Sequence, residues 1–218
     1  LNDDRLGRAL ETFAVYAEDL RSQVAGRAIE RFGVAAGRLH VDLTTVRVAG
    51  AYEDSALIAK GWGSDRRVAR QVRTLQAATA DGTVLYSRPD PGNASELTLV
   101  GAALERLLAL SGPGLLIVCD SAMGRPKTLR EIDDAGVRFI VPLRADTGFR
   151  ERFAADVGHG ALRPIRYLAI REAGLPPAQQ TRYKGAIRDW ELPDPSNNPA
   201  GPLKLRVDYI HSSEEATQ

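Results

Sequence analysis

A run of five apolar residues, Leu115-Leu-Ile-Val-Cys119, preceded by Gly112-Pro-Gly and closed by Asp120, constrains this chain more than any other stretch. It is too short for an ordinary helix and is bounded by turn formers. It therefore reads as a strand covered on both faces, in a sheet flanked by helices. Its neighbours fit that setting. Over 94–110, Leu97, Val100, Leu104, Leu107 and Leu108 form one apolar stripe at helical spacing, with Asn93 and Glu96 spaced like a capping pair. Residues 125–135 read as a short helix that turns Leu129 and Ile132 inward and stops at Gly136. Val137, Phe139, Ile140 and Val141 are the next strand, with Pro142 at its edge.

Upstream, Leu6, Leu10, Phe13, Ala17, Leu20 and Val24 recur every three or four residues, which predicts a helix over 3–32, capped by Asp3 or Asp4 and stopped by Gly33. Its stripe needs a core or another domain to pack on. The period changes to two at 39–48, where Leu39, Val41 and Leu43 alternate with His40, Asp42 and Thr44, the pattern of a strand. Residues 50–70 lose regular pattern and are expected as a long basic loop. Residues 71–88 read as a hairpin about Asp81-Gly82, stopped by Pro89-Asp-Pro-Gly92. After 145 the character shifts to short strands at 165–169, 183–192 and 203–210, separated by turn-rich loops.

The order strand, hairpin, helix, strand, helix, strand predicts an α/β fold with a mixed sheet, to which the second half adds antiparallel strands. No stretch approaches 18 uncharged apolar residues, which excludes a membrane span of the helical kind. A single cysteine, Cys119, excludes an internal disulfide framework and a multi-cysteine zinc site. No basic-then-apolar leader opens the chain, so a reducing cytoplasm is the expected compartment. The formal charge is +1, but of 29 basic residues only four are lysine, and arginine suits bidentate phosphate contacts as readily as it reflects a G+C-rich genome. The chain opens at Leu1 and closes in a polar run at Gln218, and the expectation is a part of a longer protein.

Two acids stand apart from this pattern. Asp42 lies inside the first strand and Asp120 ends the most apolar one. A lone carboxylate is costly to bury unless it is paired or bound to metal. If the two strands are neighbours, both side chains can face one site, and two hard oxygen donors suit Mg2+ or Mn2+. Two such ions about 4 Å apart clamp the attacking and leaving oxygens of a phosphodiester. The other readings are that Asp120 caps the following turn and that Asp42 meets water at a sheet rim.

His-Val-Asp-Leu-Thr-Thr at 40–45, Gly-Asn-Ala-Ser-Glu at 92–96 and Ile-Val-Cys-Asp-Ser-Ala-Met-Gly at 117–124, taken in order with the Asp81-Gly82 hairpin, resemble the catalytic core of bacterial insertion-sequence transposases of the DDE class. The resemblance spans most of 35–145. It implies an RNase H-like five-stranded mixed sheet with flanking helices, plus a mostly β insertion. The divisions are then 1–34 as an N-terminal helical segment, 35–145 as the first part of the catalytic core, and 146–218 as an incomplete insertion. It implies Asp42 and Asp120 as the first two catalytic and metal-binding acids, Mg2+ or Mn2+ as cofactor, and Asn93 and Glu96 near the site. Double-stranded DNA, as transposon ends and target, is the implied partner, with a homodimer of the full-length protein. The third acid of that family, a glutamate on a helix with a Tyr, Arg, Glu, Lys pattern, has no match up to Gln218. The implied activity is phosphodiester hydrolysis and strand transfer, which the fragment alone is expected to lack. A metal-dependent nuclease of the same fold and a non-catalytic DNA-binding remnant are the alternatives.

Candidates for gripping DNA are Lys60, Arg66, Arg67, Arg70 and Arg73, opposed locally only by Asp65, together with Trp62, which can stack on a base or cover a core edge. His40, His159 and His211 show no ligand spacing, and Ser121 has no base beside it in sequence.

Overall fold

A computed structural model of the chain describes residues 2–52, 54–63, 67–143, 148–158, 162–192 and 201–213. It divides into two compact units, Leu1–Pro142 and Leu143–Gln218. The first opens with helix α1 (Asp3–Phe32), whose cap is Asn2, not Asp3 or Asp4: the Asn2 carboxamide oxygen accepts from the Arg5 N–H at 3.1 Å. Gly33 ends the helix in the left-handed region at φ 63°. The stripe Leu6, Leu10, Phe13, Leu20 and Val24 is exposed, and of α1 only Ala25 is buried in the core, with Ile29 packed against it. The helix therefore packs through a different face from the stripe, and its length leaves the N-terminal part beyond the sheet. Thirty residues of helix run about 45 Å. The strand it packs against, β4 (Val84–Pro91), has eight residues and spans about 27 Å.

The sheet contains β1 (Arg38–Arg47), β2 (Ala59–Trp62), β3 (Val68–Thr79), β4, β5 (Leu116–Cys119) and β6 (Arg138–Ile140), in the order β2-β3-β1-β5-β6 with β4 also paired to β3. β1 runs antiparallel to β3 and parallel to β5, and β5 parallel to β6. All five expected strands lie in this one mixed sheet, as an RNase H-like architecture requires. β2 corrects the expected loop. Its four residues include a glycine and are too few for periodicity to reveal. It pairs with residues 68–71 of β3, the part of that edge which β4 leaves open beyond Val72. Gly61 and Gly92 make the junction possible, since a Cβ on Gly61 would collide with the Gly92 carbonyl and one on Gly92 with the Gln71 carbonyl.

One face of the sheet carries the core. Leu39, Val41, Leu75, Ala77, Ile117 and Cys119 point into it against α2 (Glu96–Ser111), and Leu129 and Ile132 of α3 (Pro126–Asp134) are fully buried. α2 is capped by Ser95, whose hydroxyl accepts from the Thr98 N–H at 3.3 Å, not by Asn93. Asn93 belongs instead to the turn closed by Ala94 N–H donating to the Pro91 carbonyl at 2.8 Å. β5 is covered fully on one face only: Leu115, Ile117 and Cys119 are buried, whereas Leu116 and Val118 are half-buried.

The second unit holds an antiparallel sheet of β7 (Arg163–Ile165), β8 (Tyr183–Leu192) and β9 (Leu203–Ser212), in the order β7-β8-β9. It also holds a helix, α4 (Phe149–Gly158), in a segment expected as strands and loops. The helix is held by its aromatic residues. Phe149 lies 4.6 Å from the Trp190 ring and Phe153 5.0 Å from Tyr209, while the Tyr209 hydroxyl donates to Asp156 at 2.9 Å. No helix among the described residues is long and apolar enough to cross a membrane.

Candidate functional site

Register decides which side chains meet. In the parallel pair, Leu39 lies beside Ile117, His40 beside Val118 and Val41 beside Cys119. Asp120 keeps an extended backbone at φ −80°, ψ 176°, so the alternation of β5 carries one residue past its end. Val41 with Cys119 is the last pair of this ladder, and each acid is the next residue along its chain, so the same register continued by one step would set Asp42 beside Asp120. Their predecessors Val41 and Cys119 face the core, so both acids lie on the opposite face, and both are exposed. Neighbouring strands are about 4.8 Å apart, a spacing at which two carboxylates share one cation.

The row continues on the other side. Asp42 pairs with Gln76 of β3, and Gln76 with Ser87 of β4, so Ser87, Gln76 and Asp42 form one polar row across three strands, and Asp120 follows the end of β5 on the same face. His40 and Thr44 flank Asp42 on the same face. Asp120 also does what the turn-capping reading expected: its Oδ1 accepts from the Ala122 N–H at 3.0 Å and caps the short 3₁₀ turn Ser121–Met123. That bond uses one oxygen and fixes the carboxylate plane. Among the described residues no group of three or more His, Cys, Asp and Glu comes together as a metal site. The donor set here is two carboxylates, hard oxygen ligands of the kind Mg2+ and Mn2+ take. Cys119 is not part of it. Its thiol faces the core, and burial, with Asp120 adding to it, pushes its pKa up to about 11.

The basic residues divide by parity. Lys60 is opposite Arg70, and Trp62 is opposite Val68. Residues 68, 70, 72, 74 and 76 of β3 share a face, so Lys60, Trp62 and Arg70 stand on the carboxylate face. Arg70 Nη1 also donates to the Gly50 carbonyl at 3.0 Å. Arg73 is on the other face. Its Nη1 donates to the Ala94 carbonyl at 2.8 Å, and it lies opposite Asp90, which is itself paired with Arg88 at 2.9 Å. Arg73 thus ties β3 to the entry of α2. Arg67 is exposed just before β3, and Arg66 lies outside the described residues. Asn93 is exposed in the turn before α2, and Glu96 is the first residue of that helix.

Sequence reasoning missed Gln76 and Ser87, whose place beside Asp42 depends on a register between distant strands. It also missed Gln71. This side chain is fully buried, and its Nε2 donates to the Gly92 carbonyl at 2.8 Å and to the Trp62 carbonyl at 3.4 Å, joining β2 to the turn that carries Asn93. A glutamine amid strand formers was the available signal.

A family model described as a transposase DDE domain matches residues 36–196. No curated protein matches the chain. Among solved structures it is similar to the Mos1 transposase paired-end complex with left transposon end, at 11% identity and TM-score 0.33 over 74% of this chain and 56% of that one. It is also similar to the piggyBac transposase synaptic complex with hairpin DNA, at 10% identity and TM-score 0.43 over 86% of this chain and 38% of that one. A third is the Mos1 mariner paired-end complex with Mn, at 10% identity and TM-score 0.33 over 73% and 50%. The chain thus spans 56% or less of the length of these three structures.

Proposed function

The chain belongs to the family of transposase DDE domains, and from that premise we propose that it carries two of the carboxylates of a DNA-cleaving and strand-joining site, Asp42 and Asp120. The observation that supports this most is the β1–β5 register, which pairs Val41 with Cys119, the residues just before the two acids. Double-stranded DNA is the substrate in this reading, with water and then a freed 3′-hydroxyl attacking phosphodiesters.

Asp42 and Asp120 would hold Mg2+ or Mn2+. A bound ion of this kind supplies Lewis acidity to phosphodiester oxygens and orients the attacking and leaving groups. The chain's own residues do the rest. The Ala122 N–H holds the Asp120 carboxylate, so this acid is oriented before any ion arrives. Gln76 and Ser87 extend the row with neutral polar groups able to contact a sugar-phosphate strand laid across it. Lys60 and Arg70, farther along the same face, neutralise phosphates at a distance from the reacting one. Arg73 acts through structure, by fixing the start of α2.

Among the described residues no third acid joins the pair, and two carboxylates alone hold a divalent ion weakly. These 218 residues alone are therefore expected to bind Mn2+ measurably and to carry out no strand transfer. Calorimetric titration with Mn2+ and a duplex-cleavage assay test this. Weak Mn2+ binding, lost in both Asp42→Asn and Asp120→Asn, is the expected result. Mn2+ binding unchanged in both variants overturns the shared site and leaves a fold that only carries the family's architecture.

A further inference from the structure

Across β2 and β3 the register places two cations directly opposite each other, Lys60 and Arg70. Like charges at opposed positions of an antiparallel pair destabilise it. Among the described residues no carboxylate is recorded as an ion-pair partner of either, and the Arg70 bond goes to a neutral carbonyl. The next row on the same face is Trp62 opposite Val68, 61% and 62% exposed. A tryptophan and a valine left in water beside two cations that face each other form a surface suited to an anion and a flat apolar partner. The two rows lie two residues apart, about 7 Å, a distance that one nucleotide bridges from its phosphate to its base.

Resting on the DNA reading above, we propose that this strand end is a site for a single unpaired nucleotide of a DNA strand, with its phosphate between Lys60 and Arg70 and its base against Trp62 and Val68. The geometry favours an unpaired nucleotide over a paired one because a ring can be stacked only when its face is free, and in a duplex both faces are covered by neighbouring bases. The site is separate from the carboxylates. Arg70 and Gln76 are six residues apart on β3, so it lies about 20 Å from the Asp42 row, or roughly six base-pair rises of B-DNA. Gln71 and the glycines at 61 and 92 hold the platform in place, since β2 can pair here only while those backbones remain in close approach.

The test uses the whole 218-residue chain and two hairpin DNAs, one fully paired and one with a single unpaired thymine. Binding is followed by anisotropy of the labelled DNA and by tryptophan emission. The chain has two tryptophans, and Trp190 is buried in the second unit, so quenching reports Trp62. The unpaired DNA is expected to bind about tenfold more tightly and to quench the emission. Trp62→Leu is expected to abolish both the preference and the quenching. Lys60→Glu replaces a repulsive cross-strand pair by an attractive one. It is expected to raise the thermal midpoint by about 1–3 °C, while lowering the slope of log K against log salt by about one. A surface merely bathed in solvent gives the gain in stability without the loss in DNA binding, and that result overturns the proposal. Equal affinity for both DNAs with unchanged emission overturns it too, while leaving the DNA reading intact. Failure to bind either DNA overturns both.

Discussion

The exposed strand faces of the two units treat charge in opposite ways. On the outer face of β8 and β9, opposed positions carry opposite signs, Glu191 against Lys204 and Asp189 against Arg206. On the carboxylate face of the first unit, like meets like: Asp42 and Asp120 each follow a residue of the paired Val41 and Cys119, and Lys60 is opposite Arg70. Opposed unlike charges stabilise a pair of strands by roughly 0.2–1 kcal/mol, and like charges cost a similar amount. The β8–β9 face is therefore arranged for its own stability and leaves little net field for a phosphate backbone. The first unit forgoes that stability at two places on one face, once for each sign. In the proposed reading, a bound cation relieves the first and a bound phosphate the second, so each row would suit a ligand of the opposite charge.

The most forceful way to break this contrast is to remove a charge from the acidic pair. In the proposed site, Asp42→Asn and Asp120→Asn each delete a direct ligand. Changes one shell farther out typically cost 10–100-fold in metal affinity, so a loss of about a hundredfold or more in Mn2+ affinity is expected. The same substitutions relieve repulsion, so thermal stability measured without metal should stay level or rise by a few tenths of a kcal/mol. Loss of both stability and metal binding would mean that Asp42 is a structural residue and that the contrast drawn from register is misplaced.

The converse experiment imposes the first unit's arrangement on the second. Glu191→Lys together with Asp189→Arg places like charges opposite Lys204 and Arg206. With two pairs inverted, destabilisation of about 1–2 kcal/mol is expected. Trp190 packs against Phe149 and Tyr209, so its emission in a Trp62→Phe background follows this unit alone during urea unfolding. An unfolding midpoint equal to that of the parent chain would show that these pairs are too well solvated to count, and the contrast would then rest on the first unit only.

Much of this was legible from local pattern. β9 and the hairpin about Gly82, where φ is 88°, follow from period-two alternation and one turn. What lies beyond local pattern is different in kind. Asp42 and Asp120 could be named from chemistry, but their adjacency depends on a crossover through β3, β4 and α2 that no periodicity specifies. β2 was hidden because four residues with a glycine give no period, and it exists only where β4 stops short. The arginine cluster was visible in sequence yet divides in space. Arg70 and Arg73 differ by an odd number of positions, so one strand sends them to opposite faces. α4 was readable from Phe149 and Phe153 at four-residue spacing, but that signal is short and its partners, Trp190 and Tyr209, lie far along the chain.

The smallest effect concerns a charge the second unit satisfies internally. Glu172 is buried at the end of the 3₁₀ turn Ile170–Glu172, and its carboxylate accepts from the Thr181 N–H at 2.8 Å and from the Thr181 hydroxyl at 2.7 Å. Those two bonds, first the backbone one, hold its pKa below the ordinary 4.5, and Arg171 at 3.6 Å acts in the same direction. A carboxyl whose pKa is depressed on folding binds fewer protons in the folded state than in the unfolded one below that ordinary value. Its contribution is fully present above pH 4.5 and is lost as pH falls through the lower, folded value. Acid titration of the Trp62→Phe chain, followed by Trp190 emission, should show the second unit weakening in that window. Glu172→Gln keeps the shape and can still accept from Thr181, so it should be somewhat less stable at neutral pH and flatter in acid. The Glu191→Lys, Asp189→Arg chain should keep the Glu172-dependent part of the slope, because that part belongs to a buried carboxylate and not to the β8–β9 pairs. If Glu172→Gln leaves the acid slope unchanged, the loss arises elsewhere, and the claim that this unit meets its charge requirements through its own buried contacts fails at a buried acid where it is easy to test.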